Sequence, residues 1–124
     1  MSKILVVDDS KVMRDMVSAC LRPNSKFVVT HAASGLEAIE TLSLNPFDML
    51  VLDLNMPDIG GIEVIEFVRA QEGLRNLPIL LVTTRSDNES REKALGAGAS
   101  RYMTKPFTPE GLLAEVTALL EARA

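Results

Sequence analysis

The chain has 124 residues, enough for one domain with a single core. Apolar residues make up 47% and charged residues 24%, and the net charge of -4 argues against a nucleic-acid binder, which would need a basic face. No run approaches the ~18 apolar residues of a membrane span, the start does not read as a signal peptide, and the one cysteine, Cys20, cannot form an internal disulfide, all of which fits a cytoplasmic protein.

Apolar runs alternate with segments of helical period, the pattern of an α/β fold with a parallel sheet. The first predicted strand is Lys3 to Asp8. A helix follows from Ser10, with Val12, Met13, Met16, Val17, Cys20 and Leu21 on one face, and ends at Pro23 and Asn24. The second strand is Phe27 to His31. The second helix starts at Ser34 with Glu37 three residues on, a capping box, and carries Leu36, Ile39 and Leu42 as its apolar stripe. The third strand, Asp48 to Asp53, leads into the loop Asn55-Met56-Pro57-Asp58-Ile59-Gly60-Gly61 and a helix from Ile62 to Ala70. The fourth strand is Pro78 to Thr83. Its helix begins at Ser86, with Glu89 as a second capping box, and fades at Gly96 and Gly98. The fifth strand is Ser100 to Met103. The last helix has Thr108 as cap, Pro109 at its first position and a stripe of Leu112, Leu113, Val116, Leu119 and Leu120. Glu121 to Ala124 read as a short tail, so the expectation is one domain over residues 1–124 with no effector domain.

The first, third and fourth strands are almost wholly apolar and belong at the centre, covered on both faces. The second and fifth carry Thr30, His31, Arg101 and Tyr102 and belong at the edges. The order 2-1-3-4-5 satisfies this with right-handed crossovers, which is the flavodoxin-like (β/α)5 three-layer sandwich. In that order Asp8, Asp9 and Asp53 meet at the carboxyl edge of the sheet, where such folds bind ligands. Three carboxylates in one pocket repel and need a cation; oxygen ligands with open positions favour Mg²⁺. A lone aspartate before a helix is an ordinary cap, and that suits Asp9. It does not explain Asp53 at the mouth of a buried strand. Lys105, before Pro106, and Thr83 add an ammonium and a hydroxyl that suit a phosphoryl group.

Asp8-Asp9, Asp53-Leu54-Asn55-Met56-Pro57 with Gly61 beyond, Thr83 and Lys105-Pro106 resemble the signature of the response regulator receiver domain of two-component signalling, in its single-domain, CheY-like form. The resemblance covers the whole chain. It implies that Asp53 is the phosphoacceptor, that Asp9, Asp53 and the backbone carbonyl of Asn55 ligate Mg²⁺, and that Asp8 acts mainly through water. It further implies that Lys105 holds the phosphoryl group, that Thr83 moves to meet it, and that Tyr102 is the switch aromatic. Thr84 stands where many members carry a smaller residue, and its methyl is expected to crowd the inward path of Tyr102. Arg85 lies near the pocket mouth, where it and Asn55 could tune attack by water.

The implied function is transfer of a phosphoryl group from a phosphohistidine to Asp53, followed by a change in the face made by helix four, strand five and helix five. The chain would be a switch and not a turnover enzyme, catalysing only its own phosphorylation and dephosphorylation. Its partners would be a histidine kinase or histidine phosphotransfer protein and a target such as a flagellar motor switch component, with the protein a monomer that meets neither membrane nor nucleic acid. The alternative is a phosphorelay intermediate or phosphate sink. A Mg²⁺-dependent phosphatase would want Asp-x-Asp after strand one, and a dinucleotide or flavin binder would want glycines there; Asp8-Asp9-Ser10-Lys11 offers neither. His31 and most of the methionines read as ordinary surface or core residues, while Arg91, Lys93 and Arg101 read equally as output-face residues or as solvated charges.

Overall fold

A computed structural model gives the architecture; it describes residues 1–56, 58–84 and 87–123. Five strands, β1 (Ser2–Val7), β2 (Phe27–Ala32), β3 (Met49–Leu52), β4 (Ile79–Thr83) and β5 (Arg101–Thr104), form one parallel sheet in the order 2-1-3-4-5. Five helices alternate with them: α1 (Lys11–Leu21), α2 (Gly35–Leu44), α3 (Gly61–Ala70), α4 (Asn88–Ala97) and α5 (Pro109–Arg123). This is the predicted flavodoxin-like order.

Strand alternation divides the core into two layers. Leu5, Val7, Leu50, Leu52, Ile79 and Leu81 face one side, where Ala38 and Leu42 of α2, Val64, Ile65 and Val68 of α3 and Ala94 of α4 cover them. Ile4, Val6, Met49, Val51, Leu80 and Val82 face the other, under Val17, Cys20 and Leu21 of α1 and Leu112 and Val116 of α5. Central strands buried on both faces must be apolar throughout, which is why β1, β3 and β4 read as unbroken runs.

Capping explains most helix starts. The Ser10 hydroxyl accepts from Met13 N, Ser34 from Glu37 N and Thr108 from Gly111 N. For α4 the cap is Asp87, whose carboxylate accepts from Ser90 N at 2.9 Å, so the helix starts at Asn88 and not at Ser86. Ser86 itself lies outside the described residues. Gly98, at φ 121°, closes α4 in a conformation that favours glycine. There the half-buried Arg69 of α3 donates to Gly98 O at 2.9 Å and Leu77 O at 2.7 Å, tying α3, α4 and the start of β4 together.

Three details depart from the periodicity. Val12 and Met16 are 70% and 50% exposed, so α1 buries a narrower stripe than predicted. Leu36 is likewise exposed, and Ala38 takes its place in the core of α2. The chain after Leu120 is not a loose tail, because α5 runs on through good helix formers to Arg123. No helix among the described residues is long and apolar enough to cross a membrane.

Candidate functional site

Register builds the site. Val7 of β1 pairs with both Ala32 and Leu52, and Leu52 pairs with Leu81, so β1, β3 and β4 reach the same edge together. Pairing runs one residue further: Asp8 N donates to Ala32 O at 3.2 Å and Asp53 N to Val7 O at 3.0 Å. Those two bonds set Asp8 and Asp53 side by side. Oxygens of Asp8, Asp9 and Asp53 all lie within 4.8 Å of one another.

The ammonium of Lys105 closes the cluster, 2.9 Å from Asp8 Oδ2 and 3.6 Å from Asp53 Oδ1. Lys105 N also donates to Thr83 O at 2.7 Å, which fixes the loop after β5 against β4, and the Lys105–Pro106 peptide is cis. Asp8 is committed on both oxygens, since its Oδ1 accepts from Ser10 N at 2.9 Å. Asp8 and Asp53 are buried, whereas Asp9 faces solvent. Thr83 is fully buried at the end of β4, on the sheet face that carries Leu81.

One ammonium cannot balance three carboxylates. Burial first, and then the neighbouring Asp8 and Asp9 charges, push the Asp53 carboxyl up to about 6 against the pull of Lys105. A hard cation could supply the missing counter-charge. The donors are all oxygen, they converge, and the exposed Asp9 leaves an open side for water or a phosphate oxygen, so the cluster could hold a metal ion.

Around this centre stand the remaining predicted residues. Tyr102 pairs in register with Leu81, is half-buried, and packs against the layer that contains Ala94 and Ala99. Thr84 is exposed and lines a cavity of about 370 Å³ with Met13, Met16, Lys105, Pro106 and Phe107. Phe107 packs against the α1–α5 layer, the opposite side from Tyr102. Thr84 thus shares its cavity with a residue of the α1–α5 side, while Tyr102 packs on the α3–α4 side. Asn55 is exposed in the loop after β3, whose base is closed by Gly61 N donating to Leu54 O at 2.9 Å. Pro57 and Arg85 lie outside the described residues.

Two residues that the sequence did not single out support the site. Arg14, one turn into α1, donates to the Asp8 backbone carbonyl at 2.7 Å and pins the turn between β1 and α1. Its place one turn beyond the Ser10 cap was the available signal. Asp58 accepts from Gly35 N and Leu36 N, and the hydrogen bond from Leu36 leads the effects that hold its carboxyl below the ordinary range. Nothing in the local sequence points to that partner.

The family model of the response regulator receiver domain matches residues 4–117. The chain belongs to that family. Among curated relatives, the chemotaxis protein CheY of Pseudomonas aeruginosa is 37% identical over 119 residues, 96% of each chain. The CheY homolog of Campylobacter jejuni is 39% identical over 111 residues, 89% of this chain and 85% of the relative. Among solved structures, the chemotaxis response regulator CheY4 of Vibrio cholerae superposes with a TM-score of 0.89 at 37% identity, covering 96% of this chain and 98% of that one. A solved structure from Chloroflexus aurantiacus, described as a putative response regulator, gives a TM-score of 0.91 at 33% identity over 97% of this chain and 98% of that one. The receiver domain described here thus carries its acidic cluster in the setting of CheY-like switches.

Proposed function

We propose that this receiver domain accepts a phosphoryl group from a phosphohistidine onto Asp53 and uses it to switch binding to a target protein. The observation that carries this reading is the buried Asp53 carboxylate, with Lys105 3.6 Å away and the Asp8 and Asp9 oxygens within 4.8 Å. A buried aspartate among like charges is unfavourable unless its charge has work to do.

Asp9, Asp53 and the backbone carbonyl of Asn55 would hold Mg²⁺, with Asp8 contributing through water. When bound, the ion would neutralise charge on the phosphoryl oxygens. Asp53 Oδ attacks phosphorus in line, the bond to the donor imidazole nitrogen breaks, and an acyl phosphate forms. Lys105, held ready on Asp8, turns to the transferred oxygens as their charge arrives. The Thr83 hydroxyl then reaches the phosphoryl group, and Tyr102, on the same face of the sheet, moves into the space left. Thr84 and Pro106 flank this change at the sheet edge. The face formed by α4, β5 and α5 changes with it and is what the target reads.

The CheY relatives support a place in chemotaxis; the donor would be a histidine kinase or phosphotransfer protein and the target a component such as the flagellar motor switch. Alignment across 96% of both chains supports action as a cytoplasmic receiver domain of the CheY kind. Asp53→Asn should abolish labelling by acetyl phosphate and by a phosphohistidine donor. Undiminished labelling of that variant would overturn the assignment.

A further inference from the structure

The loop between β3 and α3 is held at two places. Its base is closed by the bond from Gly61 N to Leu54 O. Its far side reaches across to α2: Asp58 Oδ1 accepts from Gly35 N at 3.2 Å and Oδ2 from Leu36 N at 3.0 Å. A helix leaves its first N–H groups without intrahelical partners, and here the Ser34 hydroxyl serves Glu37 N while Asp58 serves Gly35 N and Leu36 N. The carboxylate also meets the positive end of the helix dipole. The two segments touch directly as well. A Cβ at Gly35 would lie 2.4 Å from the Ile59 carbonyl oxygen, so the absence of a side chain there lets the loop seat on the helix.

Asn55 sits three residues before Asp58 in this loop, and the proposed function assigns its carbonyl to the metal. A carbonyl ligand in an exposed loop is useful only if the loop is kept in place. We propose that Asp58 is a positioning residue for the metal site, clamping the β3–α3 loop onto the N-terminus of α2 so that the Asn55 carbonyl stays poised beside Asp9 and Asp53. The clamp makes α2 a structural arm of the pocket, although it contributes no ligand. Binding of the ion and order at the start of α2 are then linked, each strengthening the other.

This inference rests on the metal reading, and the experiment separates the two. Mg²⁺ is titrated into wild-type protein, Asp58→Ala, Asp58→Asn and Ser34→Ala, followed by amide NMR shifts, with urea denaturation of each variant in chelator. Ser34→Ala removes a cap from the same helix and leaves the loop clamp intact. Asp58→Ala should weaken Mg²⁺ binding about tenfold, the usual scale for a residue that orients a ligand. Asp58→Asn, which keeps one acceptor, should weaken it less. Ser34→Ala should stay within twofold of wild type, although its stability falls too. Asp58→Ala within twofold of wild type, or Ser34→Ala weakening Mg²⁺ as much as Asp58→Ala, would overturn the clamp. Failure of wild-type protein to bind Mg²⁺ would overturn the metal assignment, and the clamp with it.

Discussion

The two sides of the sheet differ sharply in how much holds them. β1 and β3 are buried over their last four residues, and α3 buries Gly61, Val64, Ile65 and Val68 beneath them. At the other side β5 exposes Arg101 and Thr104, and α4 buries only Ser90 and Ala94. The acids therefore sit on the part of the molecule least able to relax. Asp8 and Asp53 cannot move apart without breaking the backbone bonds that extend β1 and β3. Within the proposed reading face α5 is anchored by the buried Leu112 and Val116, whereas β5 and α4 have little packing to lose, so a change of shape in those two is cheap. A packed site facing a lightly packed response element suits a switch: charge is gathered where nothing yields and is relieved where something can.

The contrast breaks most readily at a single leucine on each side. Leu50 of β3 is fully buried, and Leu50→Ala should cost about 3–4 kcal/mol, the scale for emptying a packed site. Leu95 on α4 is 38% exposed, and Leu95→Ala should cost less than about 1 kcal/mol. Urea denaturation compares them; equal costs would remove the distinction between a rigid site and a pliable face.

A smaller effect comes from the charge stored at the rigid side. Burial and the adjacent acids raise the Asp53 carboxyl from 3.8 to about 6, so the folded protein holds that proton more tightly than the unfolded chain does. Stability contributed by protonated Asp53 is full below pH ~4 and is lost as pH rises to about 6. Asp53→Asn lacks this loss. In chelator the variant should match wild type at pH 4 and exceed it by about 1–2 kcal/mol at pH 7.5, less than the full conversion because solvent at the pocket mouth screens the charge. Thermal or urea denaturation across that range checks it, and an Asn variant no more stable than wild type at pH 7.5 would contradict it.

The smallest effect concerns Thr84. Because it lines the cavity with Met13, Met16 and Phe107, away from the layer that holds Tyr102, Thr84→Ala should change target binding in the phosphorylated state less than twofold. Stronger binding, measured by titration of the target with beryllofluoride-treated protein, would instead bear out the expectation that the Thr84 methyl crowds Tyr102.

What could be read from the residues follows from what has a local signature. Strand order came from polarity: Thr30, His31, Arg101 and Tyr102 break the apolar runs only where one sheet edge is open. The meeting of Asp8, Asp53 and Lys105 followed from that order. The start of α4 was misplaced because Ser86 with Glu89 and Asp87 with Ser90 are equally good cap spacings one residue apart. Val12, Met16 and Leu36 were expected inside because periodicity marks an apolar face without fixing how wide a stripe the neighbours cover. Arg14 and Asp58 were passed over for a different reason. Their partners are backbone groups, the Asp8 carbonyl and the Gly35 and Leu36 amides, and backbone groups leave no mark in a sequence.

The central claim is that the acid crowded by burial, Asp8 and Asp9 is the one that takes the phosphoryl group. Borohydride reduces an aspartyl phosphate to homoserine, which marks the acceptor permanently. Protein phosphorylated with acetyl phosphate in Mg²⁺, reduced, digested and sequenced by mass spectrometry should carry homoserine at position 53 and at no other aspartate. Homoserine at position 8 or 9, or the same yield from Asp53→Asn, would contradict the account.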